Sequence, residues 1–283
     1  MLLPLVSYSG DMVSHGSLLL VIPSVVLSGE KGFEIEADFF KNLGVYCRNF
    51  SEVVFACPAL TPQKNEGYVQ RSLPIAHLPD NVRYVPLPYT YREDAHFRHY
   101  FKTKKLLREL IDWADYLLFA PHAPFDWPTV AAREAMKQGR NYDIEYTVDY
   151  NQLMRLKVAS MPRGIKRLRT AIYSHWMKRE AYRLFSKSTL TLLQGRELFE
   201  TYKDAAPNPH TMLNVQVRSS DLISDETLDQ KLSEIRSGAP LKIAYAGRMS
   251  DRKGALDWVK AIDSSGCAVS ATWFGDGPEQ NEM

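Results

Sequence analysis

Residues 242–254 read KIAYAGRMSDRKG and residues 268–279 read AVSATWFGDGPE. Each segment begins with a short apolar run, and a stretch with a helical pattern lies between the two runs. The pattern predicts a strand at Lys242–Ala246, a helix at Gly254–Ile262 and a second strand at Ala268–Phe274. A strand, a helix and a strand in this order are typical of a βαβ unit with a parallel sheet.

The loop between the first strand and the helix has the composition of a phosphate site. Gly247 has no side chain, so a ligand can approach the backbone there, and the helix that begins at Gly254 exposes its first amides. Arg248 and Lys253 add two cations beside that positive helix end. The alternative interpretation is an ordinary β–α loop with solvated basic residues.

The two segments together resemble family 4 retaining glycosyltransferases, whose second domain opens with a strand, Gly-Arg and Lys-Gly at this spacing. In that family the next strand ends in Gly-x-Gly-Pro-Glu, as after Phe274 here. The resemblance implies a GT-B fold, with an acceptor domain and a donor domain that are both Rossmann-like. It implies that Gly247, Arg248 and Lys253 bind the donor diphosphate. Protein cations then replace a metal, and the enzyme needs no cofactor besides its co-substrate, the sugar nucleotide. Gly275 and Gly277 then lie near the nucleotide, although a simple strand-to-helix turn also explains them.

The rest of the chain alternates short apolar runs with amphipathic stretches, which predicts an α/β fold. We predict an N-terminal Rossmann-like domain at 1–218, a polar linker at 219–240 with one short helix around Glu226–Ile235, and a partial donor domain at 241–283. Two strands are too few for a stable sheet domain, so this interpretation treats the second domain as truncated. Within the first domain the pattern predicts, among other elements, a helix at Glu34–Arg48 and a strand at Met212–Val217.

The first domain resembles the family more weakly, at three points. Gly29, within Ser28-Gly-Glu-Lys-Gly32, occupies a loop where relatives place glycines close to the donor or acceptor, or it belongs to a plain turn. His122 follows a strand, as a histidine does in the family, but a histidine after a strand is also common as a structural residue. In many relatives the strand that aligns with Thr147-Val148-Asp149 ends in His-Asp, and this sequence departs from them by placing Asp149 where the histidine stands. The Asp149 carboxylate either orients a sugar hydroxyl in the catalytic site or caps a helix.

Composition excludes several classes of protein. The 283 residues are 45% hydrophobic and carry a net charge of +2, which fits a folded protein and does not indicate nucleic-acid binding. Three cysteines without metal or CxxC spacing favour a reducing compartment. The apolar stretch Leu18–Leu27 is too short for a membrane span and has no preceding Lys or Arg, so we predict a cytoplasmic protein.

The net charge of the whole chain is small, but one stretch is strongly basic. Residues 151–190 hold ten Lys or Arg and one acid, Glu180. The pattern predicts a helix at Gly164–Phe185 with Ile165, Leu168, Ile172 and Trp176 on one face. Such a helix either lies on an anionic membrane through Arg163–Lys187 or packs its apolar face into the core and solvates its basic face. Membrane docking on the cytoplasmic side would suit a lipid-linked acceptor.

These observations predict an enzyme that transfers a sugar from a nucleoside diphosphate sugar to a saccharide or lipid-linked acceptor, with retention of configuration. Two alternatives stay open: a sugar-nucleotide epimerase on the same fold, and a non-catalytic protein that binds sugar nucleotides or membranes. Family members carry a pair of glutamates, with seven residues between them, further along the donor domain than Met283. We therefore expect little transferase activity from the 283-residue chain.

Overall fold

The computed structural model of the protein describes residues 15–24, 26–29, 32–60, 72–89, 93–213, 222–250, 253–277 and 279–280. The chain divides into two compact units, unit 1 (1–214) and unit 2 (215–283). The described strands of unit 1 are β1 (His15–Val21), β2 (Val26–Gly29), β3 (Gly32–Glu36), β4 (Phe50–Leu60), β5 (Ser72–Pro74), β6 (Val82–Leu87), β7 (Tyr116–Phe119), β8 (Asp143–Tyr146), β9 (Leu190–Gln194) and β10 (Pro209–Met212). Its described helices are α1 (Ala37–Asn49), α2 (Glu93–Trp113), α3 (Trp127–Lys137), α4 (Tyr150–Ser160), α5 (Ile165–Phe185) and α6 (Gly195–Tyr202).

The centre of unit 1 is a parallel sheet with the strand order β6-β4-β1-β7-β8-β9-β10. The chain first builds outward from β1 to β4 and β6, and then returns to the other side of β1 to add β7 and the strands that follow. This is the strand order of a doubly wound Rossmann-like sheet. The chain is therefore an α/β protein, and its strand order reverses between β1 and β7.

Side chains of the central strands alternate between two hydrophobic clusters. On β1, Leu19 and Val21 face the cluster that contains α2 and α3, whereas Leu18 and Leu20 face the cluster around Leu43 of α1. Because both faces of the sheet are covered, both sets of side chains are buried. This explains why the strands appear in the sequence as continuous apolar runs rather than as alternating patterns.

The predicted helix at Glu34–Arg48 is wrong at its start. Glu34 and Ile35 belong to β3, which pairs antiparallel with β2 and with β5, and α1 begins only at Ala37. Two neighbouring strands satisfy this backbone, so tertiary pairing overrides the local helical pattern. The strand predicted at Met212–Val217 is observed earlier, as β10 (Pro209–Met212), and residues 214–217 lie outside the described ranges.

The prediction that α5 could pack Ile165, Leu168, Ile172 and Trp176 into the core is wrong. The buried residues of α5 lie on a different face, made by Ser174, Met177, Glu180, Leu184 and Phe185. The four apolar residues are exposed instead. Neither α5 nor another helix within the described ranges is long and apolar enough to cross a membrane.

Unit 2 contains α7 (Asp225–Arg236), β11 (Leu241–Ala246), α8 (Ala255–Asp263) and β12 (Val269–Phe274) among its described residues. The helix predicted within the linker is observed as α7, and Ser224 caps it by accepting a hydrogen bond from the backbone N–H of Thr227. Strands β11 and β12 pair parallel, from Leu241 beside Val269 to Ala246 beside Phe274. The described core of unit 2 is thus the βαβ unit that the sequence predicts.

Candidate functional site

A cavity of about 490 Å³ lies in unit 1 at the carboxyl ends of the central strands. Its walls include Pro23 after β1, Pro58 near the end of β4 and His122 after β7. Open parallel sheets bind ligands at this edge, where the strand order reverses. The remaining lining is mostly apolar or aromatic, with two charged residues: Ala123, Phe125, Asp126, Trp127, Pro128, Tyr150, Met154, Lys157, Tyr173 and Met177.

The loop that carries His122 is fixed by Asp126, the N-cap residue of α3. Oδ2 of Asp126 accepts hydrogen bonds from the backbone N–H groups of His122 (2.6 Å) and Ala123 (2.7 Å), and Oδ1 accepts one from Thr129 (2.8 Å). One carboxylate therefore ties the end of β7 to the start of α3. Burial raises the pKa of Asp126, while these hydrogen bonds favour its charged form.

The imidazole of His122 is neutral at pH 7. Burial lowers its pKa to about 4, because the charged form would lose its hydration without gaining a counter-ion. The ring lies 4.4 Å from the Tyr150 ring between centroids, and Nε2 is enclosed without a hydrogen-bond partner in the described structure. A neutral, unpartnered ring nitrogen of this kind can exchange a hydrogen bond with a water molecule or a hydroxyl group that reaches it.

Behind His122 lies a second, smaller cavity of about 20 Å³, which is large enough for one water molecule. His122 and Asn151 both line it, and Oδ1 of Asn151 also lacks a hydrogen-bond partner in the described structure. The Asn151 amide donates to the hydroxyl of Tyr202 at 2.9 Å, and Tyr202 donates to Asp149 at 2.8 Å. Polar groups thus extend from the cavity wall to the Asp149 carboxylate.

Asp149 is the N-cap residue of α4 in the structure. Its Oδ1 accepts hydrogen bonds from the backbone N–H of Gln152 (2.9 Å) and from Tyr202, while its neighbour Tyr150 lines the larger cavity. Asp149 is not among the described residues that line that cavity. Its catalytic role, and that of His122, stay predictions from the sequence.

Gly29 lies away from this cavity lining, in the hairpin of β2 and β3. It pairs with Gly32 across the antiparallel ladder and is exposed, whereas Glu30 and Lys31 of the predicted loop lie outside the described residues. The hairpin extends the edge of the sheet beyond β4. Donor binding by Gly29 therefore stays a prediction.

In unit 2 the loops that follow β11 and β12 are joined by their backbones. The N–H of Gly247 donates to the carbonyl of Phe274 (2.9 Å), and the N–H of Met249 donates to the carbonyl of Asp276 (2.7 Å). The indole of Trp273 also donates to the carbonyl of Gly247 (2.8 Å). The two glycine-containing motifs therefore form one structural site.

Gly275 and Gly277 allow this close approach. A Cβ atom at Gly275 would overlap the carbonyl oxygen of Gly247, and one at Gly277 would overlap that of Met249. Gly275 also has a φ of 139°, which other residues rarely adopt. These two glycines therefore have a structural function in the joined loops, whatever ligand binds there.

The first residues of α8 complete this site. Gly254 caps the helix with a left-handed φ of 67°, and the N–H of Lys253 donates to the carbonyl of Ser250 at 2.8 Å. The side chains of Arg248 and Lys253 are both exposed, and neither forms an ion pair with a described residue. Their charges are thus available to an anion, and Lys253 directly precedes the N-cap of α8, whose first amides favour negative charge.

The sequence interpretation missed most of the residues that shape these sites. The Asp-Trp-Pro-Thr stretch at 126–129 carries a helix N-cap signal that could have identified Asp126. The aromatic residues Trp127, Tyr150 and Tyr173 come from three different helices, and no local pattern indicates that they meet. Tyr202 reaches Asp149 from 53 positions away.

No protein-family model matches the sequence, and no curated protein matches it significantly. Solved structures with similar coordinates include a UDP-glucosyltransferase from Polygonum tinctorium capable of glucosylating indoxyl (TM-score 0.44, 11% identity). They also include an Arabidopsis thaliana protein complexed with UDP-L-rhamnose (0.43, 13%) and a Listeria monocytogenes protein described as a UDP-N-acetylglucosamine 2-epimerase (0.43, 9%). The matches cover 93%, 94% and 93% of this chain and 72%, 66% and 63% of those chains. Scores this low carry no functional argument, and the α/β class rests on the strand order described above.

Proposed function

We propose that the protein is a GT-B glycosyltransferase that transfers a sugar from a nucleoside diphosphate sugar to a saccharide or lipid-linked acceptor with retention of configuration. The observation that carries the proposal is the pair of joined loops in unit 2, which carry the exposed cation Arg248, together with the exposed Lys253 directly before the Gly254 cap of α8. In this proposal unit 2 binds the donor. The cavity at the carboxyl ends of the unit 1 strands binds the acceptor.

The chemistry of sugar transfer requires positive charge at the donor loop. When the bond between the sugar and the diphosphate breaks, negative charge develops on the departing nucleotide. Arg248 and Lys253, together with the positive end of the α8 dipole, stabilise that charge. Fixed groups of this kind contribute about 100- to 1,000-fold in rate when they are aimed at developing charge.

In unit 1, His122 is the group that exchanges a hydrogen bond with an acceptor hydroxyl. Its neutral ring suits that task, and the Asp126 carboxylate fixes its backbone. We assign Asp149 a positioning role, because it caps α4, whose first residue Tyr150 lies against the His122 ring. The aromatic walls of the cavity give a sugar ring or an apolar acceptor a surface to stack on.

Calorimetric titration of the chain with UDP, GDP, ADP and dTDP tests the donor site. We expect one nucleotide to bind, and Arg248→Ala and Lys253→Ala each to weaken binding by about 10- to 100-fold, because each removes a charge-assisted hydrogen bond worth roughly 1.5–3 kcal/mol. Lys260→Ala is the matched control, since Lys260 is an exposed cation within α8, away from the loop, and pairs with Asp257. Equal affinity in all variants would contradict the phosphate role.

An assay of the nucleotide sugar that binds separates transfer from epimerisation. The protein is incubated with this donor, with and without an acceptor, and the sugar products are resolved by chromatography. Release of an epimerised sugar nucleotide without acceptor would assign the protein to the epimerase class. Acceptor-dependent loss of the donor with the anomeric configuration retained in the product, even at the low level expected of the 283-residue chain, supports the proposed function.

A further inference from the structure

The α5 helix presents an exposed apolar stripe. Ile165, Leu168, Ile172 and Trp176 recur at helical spacing and are 79%, 62%, 62% and 38% exposed. Leu156, on the neighbouring helix α4, is 61% exposed. Amphipathic helices of globular proteins normally turn such a stripe toward the core, and a contiguous exposed apolar patch marks an interaction surface.

Positive charge surrounds this stripe. No acidic residue lies between Tyr150 and Arg179, whereas eight Lys or Arg do: Arg155, Lys157, Arg163, Lys166, Arg167, Arg169, Lys178 and Arg179. No ion pair within the described structure involves any of the eight. The first acid after them, Glu180, is buried in the core and pairs with Arg133 of α3. The charge of this surface is therefore unneutralised.

An open groove of about 620 Å³ between α4 and α5 brings the apolar side chains and the cations together. Ile172 and Trp176 line it beside Lys166 and Arg169. Met154, Lys157 and Tyr173 line both this groove and the larger cavity at the carboxyl ends of the strands. The basic apolar surface is thus continuous with the proposed acceptor site.

We propose that the surface formed by α4 and α5 docks on an anionic lipid bilayer. The exposed side chains of the stripe enter the boundary between headgroups and acyl chains, and the flanking cations bind lipid phosphates. An interfacial helix of this kind combines bulky apolar side chains with Lys and Arg on its polar face. Docking does not depend on sugar transfer, so the two proposals can fail separately.

Co-sedimentation of the full chain with lipid vesicles tests the docking. The vesicles contain phosphatidylcholine alone, or phosphatidylcholine with about one third phosphatidylglycerol. We expect binding to the anionic vesicles only, and weaker binding at high salt because salt screens the cations. In Lys166→Gln/Arg169→Gln, we expect partitioning to fall by about 20-fold or more, since each cation near an anionic surface contributes roughly five-fold. Ile165→Ser/Ile172→Ser tests the apolar part and is expected to reduce binding at least as much.

The control variant, Lys105→Gln/Lys231→Gln, removes two exposed cations from α2 and α7 and should bind like the wild type. All substituted side chains are exposed, so circular dichroism should show an unchanged fold. Absence of binding to anionic vesicles, equal binding to neutral ones, or wild-type binding by both α5 variants would overturn the proposal. The alternative is that a second copy of the chain binds the stripe, and light scattering tests it. A wild-type dimer that becomes a monomer in Ile165→Ser/Ile172→Ser would assign the stripe to the dimer interface and overturn the proposal.

Discussion

The hydroxyl of Tyr202 donates a hydrogen bond to Oδ1 of Asp149 across an oxygen–oxygen distance of 2.8 Å. The bond links the last residue of α6 to the N-cap of α4, and the amide of Asn151 donates to the same hydroxyl. Tyr202 is 2% exposed. Asp149 therefore has a structural function that is independent of any contact with a sugar.

Substitutions at Asp149 separate its structural function from a catalytic one. We expect Asp149→Ala to destabilise unit 1 by about 1–2 kcal/mol, because it removes a helix cap and the acceptor of the Tyr202 bond. Asp149→Asn should retain stability, since asparagine caps helices as well as aspartate does. Urea unfolding measures both effects. A folded Asp149→Asn variant that loses most of its transfer activity would favour the catalytic carboxylate predicted from the sequence.

The joined loops of unit 2 depend on two glycines. We expect Gly275→Ala and Gly277→Ala to abolish the joined structure or to destabilise unit 2 by more than about 2 kcal/mol, because each new Cβ atom would overlap a backbone carbonyl. Hydrogen exchange at the amides of Gly247 and Met249 reports the loss directly, since both donate across the junction.

Gly238→Ala is the matched control for this prediction. Gly238 also has a positive φ, 80°, but a Cβ atom there would meet nothing within 4 Å. We expect it to cost only about 1 kcal/mol, from backbone strain. If Gly238→Ala and Gly275→Ala lower the free energy of unfolding equally, the positive φ alone, and not the close approach of the two loops, requires glycine at position 275.

Glu134 of α3 is a buried carboxylate that pairs with three cations. Its side chain is 2% exposed and lies 2.6 Å from Arg108, 3.2 Å from Lys104 and 3.2 Å from Lys137. Burial alone would raise the pKa of Glu134, but hydrogen bonds from these three cations lower it.

We expect Glu134→Ala to destabilise unit 1 by about 2–3 kcal/mol, because three cations lose their common partner and α2 loses its polar link to α3. Glu109→Ala is the control: Glu109 is 62% exposed, pairs only with Lys105 at 3.9 Å among the described ion pairs, and should cost less than about 0.5 kcal/mol. Urea unfolding of the two variants measures the difference. If both variants lose the same free energy of unfolding, the buried ion pairs of Glu134 stabilise the protein no more than the exposed pair of Glu109.

The α/β class follows from the sequence because its buried strands are apolar on both faces and its helices alternate with them. α5 spans Ile165–Phe185, within one residue of the predicted helix Gly164–Phe185. The prediction failed where pairing is non-local. The local pattern of Glu34–Arg48 indicates a helix over the whole range. Its first residues instead form β3, because they pair with β2 and β5, and α1 begins after them.

The two candidate sites also differ in how much of each can be predicted from local sequence. The basic loop of unit 2 is local in sequence, so Arg248 and Lys253 can be predicted as phosphate-binding residues from this loop together with the motif after Phe274. The cavity of unit 1 is assembled from the ends of separate strands and the sides of separate helices. His122 could be named because it directly follows a strand, whereas Tyr173 and Met177 come from the middle of α5 and depend on how that helix packs.

The low pKa of His122 gives unit 1 a pH-dependent stability. The pKa is about 4 in the folded protein against an ordinary value of 6.5, so between these values the unfolded chain binds a proton that the folded chain does not. The stability that the neutral ring contributes is therefore fully present above pH 6.5 and is lost as the pH falls toward 4. The difference amounts to about 3 kcal/mol at most.

We expect His122→Gln, which cannot titrate, to lose less unfolding free energy than the wild type between pH 7 and about pH 4.5, by about 2 kcal/mol. His175→Gln is the control for the substitution itself, because His175 is exposed on α5. Urea unfolding at each pH gives the three curves. If His122→Gln and the wild type lose stability in parallel, the pKa of His122 does not change on folding, and the ring is not enclosed as the structure shows. A smaller loss in the variant would show that the enclosed nitrogen stays unprotonated down to mildly acidic pH, the state in which it can accept a hydrogen bond from a sugar hydroxyl.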